Sequence, residues 1–208
     1  MSSMRAAVMR QFGRPSGVLG RLAGFIMERR PSNRARSMKT LEALGIEPED
    51  RVLEIGFGPG FALTRAAELA ARGHVVGVDH SEVMLRRAAQ RNRATIAAGR
   101  MELHCSSVAD FTFASGSIDK AYAVNVVMFW PDPVSILQRV RPALRAGGRL
   151  ALTHQPRQPG ATQKDTRKSA ERLTEWLLAA GFEDIRVETL QLQPVNAACV
   201  LARVARSS

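Results

Sequence analysis

The sequence predicts an α/β fold built on a doubly wound, mostly parallel sheet. Short apolar runs alternate with helical segments over most of the chain, and the joints between them are short. One apolar run leads directly into a glycine-rich loop, Arg51-Val-Leu-Glu-Ile-Gly-Phe-Gly-Pro-Gly-Phe61. The length of 208 residues, 45% of them hydrophobic, suffices for one domain whose core needs no disulfide.

The individual elements follow from their end signals. Gly45 suits a left-handed helix end, Ser81 suits an N-cap, and Pro133 suits a first helical turn. Pro142 must kink or end the helix that contains it. Helices are predicted at 36–45, 60–72, 81–93, 133–145 and 165–180. Strands are predicted at 51–55, 75–79, 101–105, 119–125, 148–154, 184–191 and 195–204.

The glycine-rich loop carries the strongest functional signal. Gly56, Gly58 and Gly60 alternate with other residues, which favours a tight loop that a ligand approaches at backbone distance. Phe61 breaks the G-x-G-x-x-G pattern of a dinucleotide site. The carboxylate of Glu54 disfavours a phosphate and suits a ligand with an ammonium or sulfonium charge. The loop therefore predicts a cationic, nucleoside-like ligand.

A second apolar run, His74-Val-Val-Gly-Val-Asp79, ends in an acid, which in doubly wound sheets accepts the ribose hydroxyls of a nucleoside. The pattern E-x-G-x-G-x-G, this aspartate and the later Leu144-Arg-Ala-Gly-Gly-Arg-Leu150 resemble the class I S-adenosylmethionine-dependent methyltransferases. The resemblance covers 45–155 through motifs and, more loosely, 30–204. It implies S-adenosyl-L-methionine as the cofactor, S-adenosyl-L-homocysteine as its product and a seven-stranded Rossmann-like sheet with an antiparallel C-terminal strand. A generic Rossmann-type domain is the alternative.

The resemblance also implies the cofactor contacts. The stretch from His104 resembles a family motif in which Ser107 replaces an aspartate that accepts from the adenine amino group. A neutral acceptor is weaker than a charged one, so adenine recognition is expected to depend more on the Val108 backbone N–H. Met84 either flanks the adenine or belongs to the core. The implied cofactor-binding residues are Glu54, Gly56, Phe57, Gly58, Gly60, Asp79, His80, Ser107, Val108 and Asn125.

The run Ala121-Tyr-Ala-Val-Asn-Val-Val-Met-Phe-Trp-Pro-Asp-Pro133 resembles the fourth strand and following loop of small-molecule methyltransferases. The nearest likeness is to the group that C-methylates ubiquinone and menaquinone precursors. It places Asn125 near the methionine part of the cofactor. The run lacks N-P-P-[FY], the motif of amino-group methylation, which lowers the case for nucleic acid. Phe129 and Trp130 either stack on a planar acceptor or pack within the loop.

His154, at the end of the fifth predicted strand, is the candidate catalytic base, because an ordinary imidazole pKa of about 6.5 suits proton abstraction. A structural role for this histidine is the alternative. No metal site is expected, because the four histidines lack paired ligand spacing.

Positive charge is concentrated near the N-terminus. The chain has a net charge of +11. Residues 1–39 hold eight arginines and one lysine against one glutamate, a net +8. We expect 1–36 to be a basic amphipathic helical arm and 37–208 to be a single methyltransferase domain. The arm is interpreted as a lid over the site; an anionic membrane contact, nucleic-acid binding and a solvated arm without a specific role are the alternatives.

These observations predict a methyltransferase that acts on a small-molecule acceptor, with 1–36 closing the site. A membrane-associated lipid or quinone methyltransferase and an RNA or protein methyltransferase are the alternatives. Cys105 and Cys199 lie far apart in apolar or strand-like surroundings, which predicts buried thiols in a reducing compartment. The chain has neither a bilayer-spanning apolar run nor a signal-peptide pattern, so a cytoplasmic location is expected.

Overall fold

The computed structural model describes residues 31–206, which form a seven-stranded sheet in the order β3-β2-β1-β4-β5-β7-β6. Neighbouring strands from β3 to β5 are parallel, and β7 runs antiparallel to both β5 and β6. The predicted mostly parallel sheet with an antiparallel C-terminal strand is confirmed. The strands are β1 Arg51–Ile55, β2 His74–Asp79, β3 Met101–Cys105, β4 Ile118–Val124, β5 Leu144–His154, β6 Glu183–Leu190 and β7 Ala197–Arg203.

The helices cover both faces of this sheet. They are α1 Pro31–Leu44, α2 Phe61–Leu69, α3 Glu82–Arg91, α4 Arg93–Ala97, α5 Pro133–Val140 and α6 Gln163–Ala179, with short 3-10 helices at Val127–Phe129 and Arg141–Ala143. On one face, α1 packs against β4 and β5 and α2 packs against β2, and residues such as Leu41 and Leu63 are buried in this layer. On the other face, α6 packs against β5, β6 and β7 and against α5, and Leu137 and Leu173 are buried in this layer. The result is a sheet with apolar layers on both sides, as buried parallel strands require.

The predicted end signals act as expected at several elements. Gly45 follows α1 with φ 66°, and its N–H bonds the carbonyl of Leu41. The Ser81 hydroxyl caps α3 by accepting from the Met84 N–H. The predicted helix 133–145 is too long, because α5 ends at Val140 and Pro142 lies in a 3-10 turn. Strand β5 accordingly begins at Leu144 rather than at 148.

Two further boundaries differ from the sequence prediction. Helix α1 begins at Pro31 instead of 36, so it runs across the expected boundary between arm and domain. The predicted helix 81–93 is divided into α3 and α4 at Asn92. The buried Asn92 side chain donates to the carbonyls of Ala88 and Gly60, which ties this junction to the glycine-rich loop. Residues 1–30 of the amphipathic arm expected at 1–36 lie outside the described residues.

The two cysteines occupy different environments. Cys199 is fully buried in β7, as predicted, whereas Cys105 is exposed, so the prediction of a buried thiol is wrong at this position. Cys105 is the last residue of β3, an edge strand, where only one side of the strand is covered by a neighbour. Across 31–206, no helix is long and apolar enough to cross a bilayer.

Candidate functional site

The glycine-rich loop joins the carboxyl end of β1 to the start of α2. The Gly56 N–H donates to the Val78 carbonyl at 2.7 Å, and the Gly60 N–H donates to the Phe57 carbonyl at 3.0 Å. Gly56, Gly58 and Gly60 have φ values of 76°, 52° and 78°. Residues other than glycine rarely adopt this left-handed backbone conformation, so the alternating glycines give the loop its shape.

The three glycines face different surroundings. A Cβ on Gly56 would lie 2.5 Å from a Val126 methyl carbon, and a Cβ on Gly60 would lie 2.6 Å from the Cβ of Ala88. Both positions therefore exclude side chains because the protein itself packs there. A Cβ on Gly58 meets nothing within 4 Å. Gly58 thus borders open space at the carboxyl edge of the sheet, where open α/β folds bind their ligands.

Asp79 lies next to this open space at the end of β2. One carboxylate oxygen accepts the Gly58 N–H at 2.8 Å and the other accepts the Ser81 N–H at 2.9 Å. Burial raises the pKa of Asp79, and the two N–H bonds and nearby His80 oppose that rise. Each carboxylate oxygen can accept a second hydrogen bond. Asp79 therefore holds the loop and keeps acceptor capacity for a ligand.

His80 and Phe57 have contrasting exposures beside this carboxylate. The His80 Nδ1 lies 3.9 Å from an Asp79 oxygen, and the imidazole is partly exposed. Phe57 is only 3% exposed, and its side chain packs in the core cluster, which anchors the loop to the rest of the protein.

Glu54 is a buried carboxyl group one strand position before the loop begins. It accepts a hydrogen bond from the Tyr122 hydroxyl at 2.8 Å, and the two residues are register partners on β1 and β4. Burial raises the pKa of Glu54 to about 8, the Tyr122 bond opposes this rise, and the charge of Asp79 adds to it. The carboxyl group is therefore mostly protonated at neutral pH, and an approaching cation favours its ionised form.

Glutamine at position 54 is expected to flatten the pH dependence of stability. A carboxyl whose folded pKa is raised stabilises the fold fully below its unfolded pKa, and that contribution is lost as pH rises toward the folded pKa of about 8. Wild type should thus lose more free energy of unfolding than Glu54→Gln between about pH 4.5 and pH 8. Denaturant titrations at several pH values measure this difference. Equal losses in both proteins would contradict the buried, protonated Glu54.

The loop after β3 borders the same open edge. The Ser106 N–H donates to the Asp79 carbonyl at 3.0 Å, which holds this loop against the end of β2. The Ser107 hydroxyl accepts the Ala109 N–H at 3.2 Å. The Val108 N–H makes no hydrogen bond within the described part of the chain. Met84, a candidate adenine contact, is 2% exposed and belongs to the core cluster that contains Phe57.

Asn125 ties the ends of β4 and β5 together. It has φ 57°, its N–H donates to the Thr153 carbonyl at 2.8 Å, and its side-chain oxygen accepts the Gln155 N–H at 2.8 Å. Left-handed asparagine of this kind is stable when local hydrogen bonds hold it. Asn125 therefore shapes the edge between the two strands.

Gln155 and Arg36 form a buried network that the sequence analysis did not identify. The Gln155 amide group donates to the carbonyls of Gln193 and Val195, and its oxygen accepts from Arg36 at 2.6 Å. Arg36 is 4% exposed, and burial lowers its pKa to about 9, with a further contribution from Arg157. No sequence motif marks these residues, because their contact joins segments more than a hundred positions apart.

His154, the candidate base, is mostly buried beside α6. Its Nδ1 lies 2.9 Å from the Ser169 hydroxyl, which donates its own hydrogen to the Asp165 carbonyl. When the Ser169 hydroxyl donates to the Asp165 carbonyl, the Nδ1 of His154 donates to the hydroxyl oxygen, and Nε2 is an acceptor in that tautomer. Burial, then Arg36 and Arg172, lower the pKa of His154 to about 4. The expectation of an ordinary imidazole pKa is wrong, because desolvation and two neighbouring cations oppose the imidazolium ion.

A cleft of about 220 Å³ opens beside His154. It is lined by Met128, His154, Pro156, Gln158, Asp165, Lys168, Ser169 and Arg172. The two aromatic residues of the neighbouring loop differ. Trp130 packs partly against the core, whereas Phe129 is 55% exposed. Within residues 31–206, no group of three His, Cys, Asp or Glu side chains is arranged to hold a metal ion.

Comparison with known proteins identifies the family. Residues 52–148 match the family model described as a methyltransferase domain. The chain is 31% identical over 182 residues to the uncharacterized methyltransferase YdaC of Bacillus subtilis, covering 88% of this chain and 97% of that protein. The protein belongs to the class I S-adenosylmethionine-dependent methyltransferases.

Other relatives of this methyltransferase agree with that assignment. It is 28% identical over 116 residues to a 2-phytyl-1,4-naphtoquinone methyltransferase of Synechococcus elongatus, covering 54% of this chain and 50% of that protein. The crystal structure of a SAM-dependent methyltransferase from Aquifex aeolicus has the same fold, with a TM-score of 0.71 at 19% identity, over 88% of this chain and 98% of that one. The predicted family, fold and S-adenosylmethionine dependence are thus confirmed.

Proposed function

We propose that this methyltransferase transfers a methyl group to a small-molecule acceptor, with the donor at the ends of β1, β2 and β3 and the acceptor beyond β4 and β5. The observation that carries the proposal is the open space at Gly58 beside the buried Asp79 carboxylate. This space fits a nucleoside with a charged tail, because a ligand there can approach the Gly58 backbone closely while its hydroxyl groups donate to the Asp79 carboxylate. The cleft beside His154 lies off the neighbouring strand ends of the same sheet edge.

The donor contacts follow from this placement. Asp79 would accept the ribose hydroxyls through the lone pairs that its two N–H bonds leave free. The unbonded Val108 N–H would donate to the adenine, and Ser107 and His80 would line that part of the site. Glu54, in β1 just before the glycine-rich loop, would carry a negative charge when the positive charge of the bound donor favours its ionised form. Asn125 would position the strand ends around the methionine portion.

Bound S-adenosylmethionine supplies a methyl group already activated on a sulfonium, so the protein's main task is alignment. The Nε2 of His154 can accept a hydrogen bond from the acceptor's reacting group. With its pKa lowered to about 4, this imidazole is a weak base that stays unprotonated at neutral pH. We therefore assign it to orienting the acceptor, with proton acceptance as a minor contribution.

A labelling experiment tests the proposed acceptor class. The full chain is incubated with methyl-labelled S-adenosylmethionine and an extract of the native cells, which is then separated into small molecules, lipids, protein and RNA. The proposal predicts label in the water-soluble small-molecule fraction. Label confined to RNA or protein would contradict it. Label in the lipid fraction would favour the second candidate, a quinone-type acceptor, which the naphtoquinone methyltransferase relative and the exposed Phe129 support.

We retain the proposal that residues 1–36 close the acceptor site. Residues 31–36 are the first turns of α1, and Arg36 anchors them to Gln155, whereas 1–30 lie outside the described residues. Deletion of 1–30 should therefore leave α1 in place. Cofactor affinity should stay within about tenfold, and methyl transfer should fall much further. Calorimetry and turnover assays measure the two effects. A truncated protein with full turnover would contradict the lid.

A further inference from the structure

We propose that the cleft between the end of β5 and α6 binds a carboxylate group of the methyl acceptor, with Lys168 and Arg172 as its cationic contacts and Met128 against its apolar body. The inference rests on the proposed function, because it assumes that the acceptor occupies this cleft. It names the substrate class that the proposed function leaves open.

The α6 face of the cleft is built by helical spacing. Asp165, Lys168, Ser169 and Arg172 recur at intervals of three and four residues, so they lie on one side of the helix. All four line the cleft together with His154. Two of the four carry positive charge and one carries negative charge, so the balance on this face is positive.

The acidic residue on this face already has local partners. One oxygen of Asp165 accepts from both the N–H and the hydroxyl of Thr162, at 2.8 and 2.9 Å. The bond from the Thr162 N–H is one half of the capping box at the start of α6, and acceptance of the Asp165 N–H by the Thr162 hydroxyl is the other half. Arg172 stacks over the Trp176 ring at 5.0 Å, and neither Arg172 nor Lys168 forms an ion pair within residues 31–206. The two cations are thus available to an incoming anion.

A buried cation lies near His154, one of the residues that line the cleft. Arg36 donates to the side-chain oxygens of Gln155 and Asn33, which are neutral, and its Nε has no hydrogen-bond partner in the described part of the chain. Its charge reaches the cleft, because Arg36 and Arg172 both disfavour the charged form of His154. A buried charge without a neutralising partner is costly. An anion in the cleft would lower that cost.

The composition of the cleft favours a single negative charge on a partly apolar molecule. Asp165 offsets part of the positive charge of Lys168 and Arg172, and a dianionic phosphate would cost more to remove from water in this partly apolar cleft than a carboxylate. Met128 and Pro156 supply apolar lining, and the thioether of methionine adapts to flat or branched groups. The volume of about 220 Å³ suits a compact acid.

Matched probes test the inference on the full chain saturated with S-adenosylhomocysteine. The probes are 4-hydroxybenzoate, its neutral amide 4-hydroxybenzamide, and the dianion phenylphosphonate, and binding is followed by calorimetry. Methyl NMR of labelled methionine, with Met128→Leu to assign the signal, locates the probe. The acid should bind about tenfold tighter than the amide and should shift the Met128 signal. Phenylphosphonate should bind more weakly than the acid.

Charge variants on α6 complete the test. Arg172→Gln and Lys168→Gln should each lower the affinity for 4-hydroxybenzoate by about fivefold. The control Arg167→Gln makes the same chemical change on the same helix outside the cleft and should stay within about twofold. All three variants should keep wild-type affinity for S-adenosylhomocysteine.

Three results would overturn the inference. The first is equal affinity for 4-hydroxybenzoate and its amide, and the second is tighter binding of phenylphosphonate than of 4-hydroxybenzoate. The third is a loss of 4-hydroxybenzoate affinity in Arg167→Gln as large as in the two cleft variants. Methylation of a small molecule without a carboxylate, unaffected by Lys168→Gln and Arg172→Gln, would overturn the inference and leave the proposed function intact. If the cleft binds carboxylates but the methyl label of the labelling experiment is found only in RNA or protein, the proposed function is contradicted and the cleft is an anion-binding site.

Discussion

Valine at position 58 is expected to abolish S-adenosylmethionine binding while the protein stays folded. A Cβ on Gly58 would meet no protein atom within 4 Å, so the side chain would start in open space and project into the proposed ligand volume. The backbone there has φ 52°, which adds a strain of about 1–3 kcal/mol for a residue other than glycine. Calorimetry should detect no binding, and thermal melts should show a cooperative transition without the ligand-induced shift of wild type.

The strain at this position has a matched control. Gly99 has φ 69° and a Cβ there also meets nothing within 4 Å, but it lies in the turn between α4 and β3. Gly99→Val should therefore cost a similar amount of stability and retain the ligand-induced shift. Alanine at position 58 should weaken binding less than valine does. Retention of the shift in Gly58→Val would mean that the loop does not hold the ligand.

Removal of the Asp79 carboxylate is expected to weaken S-adenosylmethionine binding by about 3–6 kcal/mol, if each of two hydrogen bonds to the charged group contributes about 1.5–3 kcal/mol. This corresponds to roughly a hundredfold loss or more. In Asp79→Ala the N–H groups of Gly58 and Ser81 also lose their acceptor, so the loop is less well held. Calorimetry on the variant measures the combined effect.

Asparagine at position 79 separates these two contributions. Asp79→Asn keeps one side-chain oxygen and the shape of the side chain but removes the charge, so its affinity should fall between those of wild type and Asp79→Ala. Asp110 is an exposed residue in the loop after β3. The variant Asp110→Ala controls for the loss of a negative charge at this edge and should bind S-adenosylmethionine with wild-type affinity. Unchanged affinity in Asp79→Ala would exclude Asp79 as the ribose acceptor.

The clustering of the residues proposed to bind the donor was predictable from the sequence. Gly56, Gly58 and Gly60 lie in the loop after β1, and Asp79 ends β2. Adjacent parallel strands bring their carboxyl ends to one edge, so a local motif becomes a spatial cluster. The separate reasons for the glycines were not predictable. They depend on Val126 and Ala88, which reach the loop only in the folded chain.

The residues of the proposed acceptor cleft could not be predicted to the same depth. Arg36 meets Gln155 across the sheet edge, and Lys168 and Arg172 resemble any exposed cations on a helix until α6 is placed beside His154. The low pKa of His154 has the same origin, since burial and remote cations leave no trace in its sequence neighbourhood. Exposure of Cys105 likewise follows from the position of β3 at the sheet edge.

A crystal structure with S-adenosylhomocysteine tests the division of the sheet edge into donor and acceptor sites most directly. The account predicts ribose hydroxyls within about 3 Å of the Asp79 carboxylate. It further predicts the amino-acid portion over the Cα of Gly58 and the sulfur facing the cleft that His154 lines. A ligand bound away from Gly58 and Asp79, or a sulfur turned away from the His154 cleft, would contradict it.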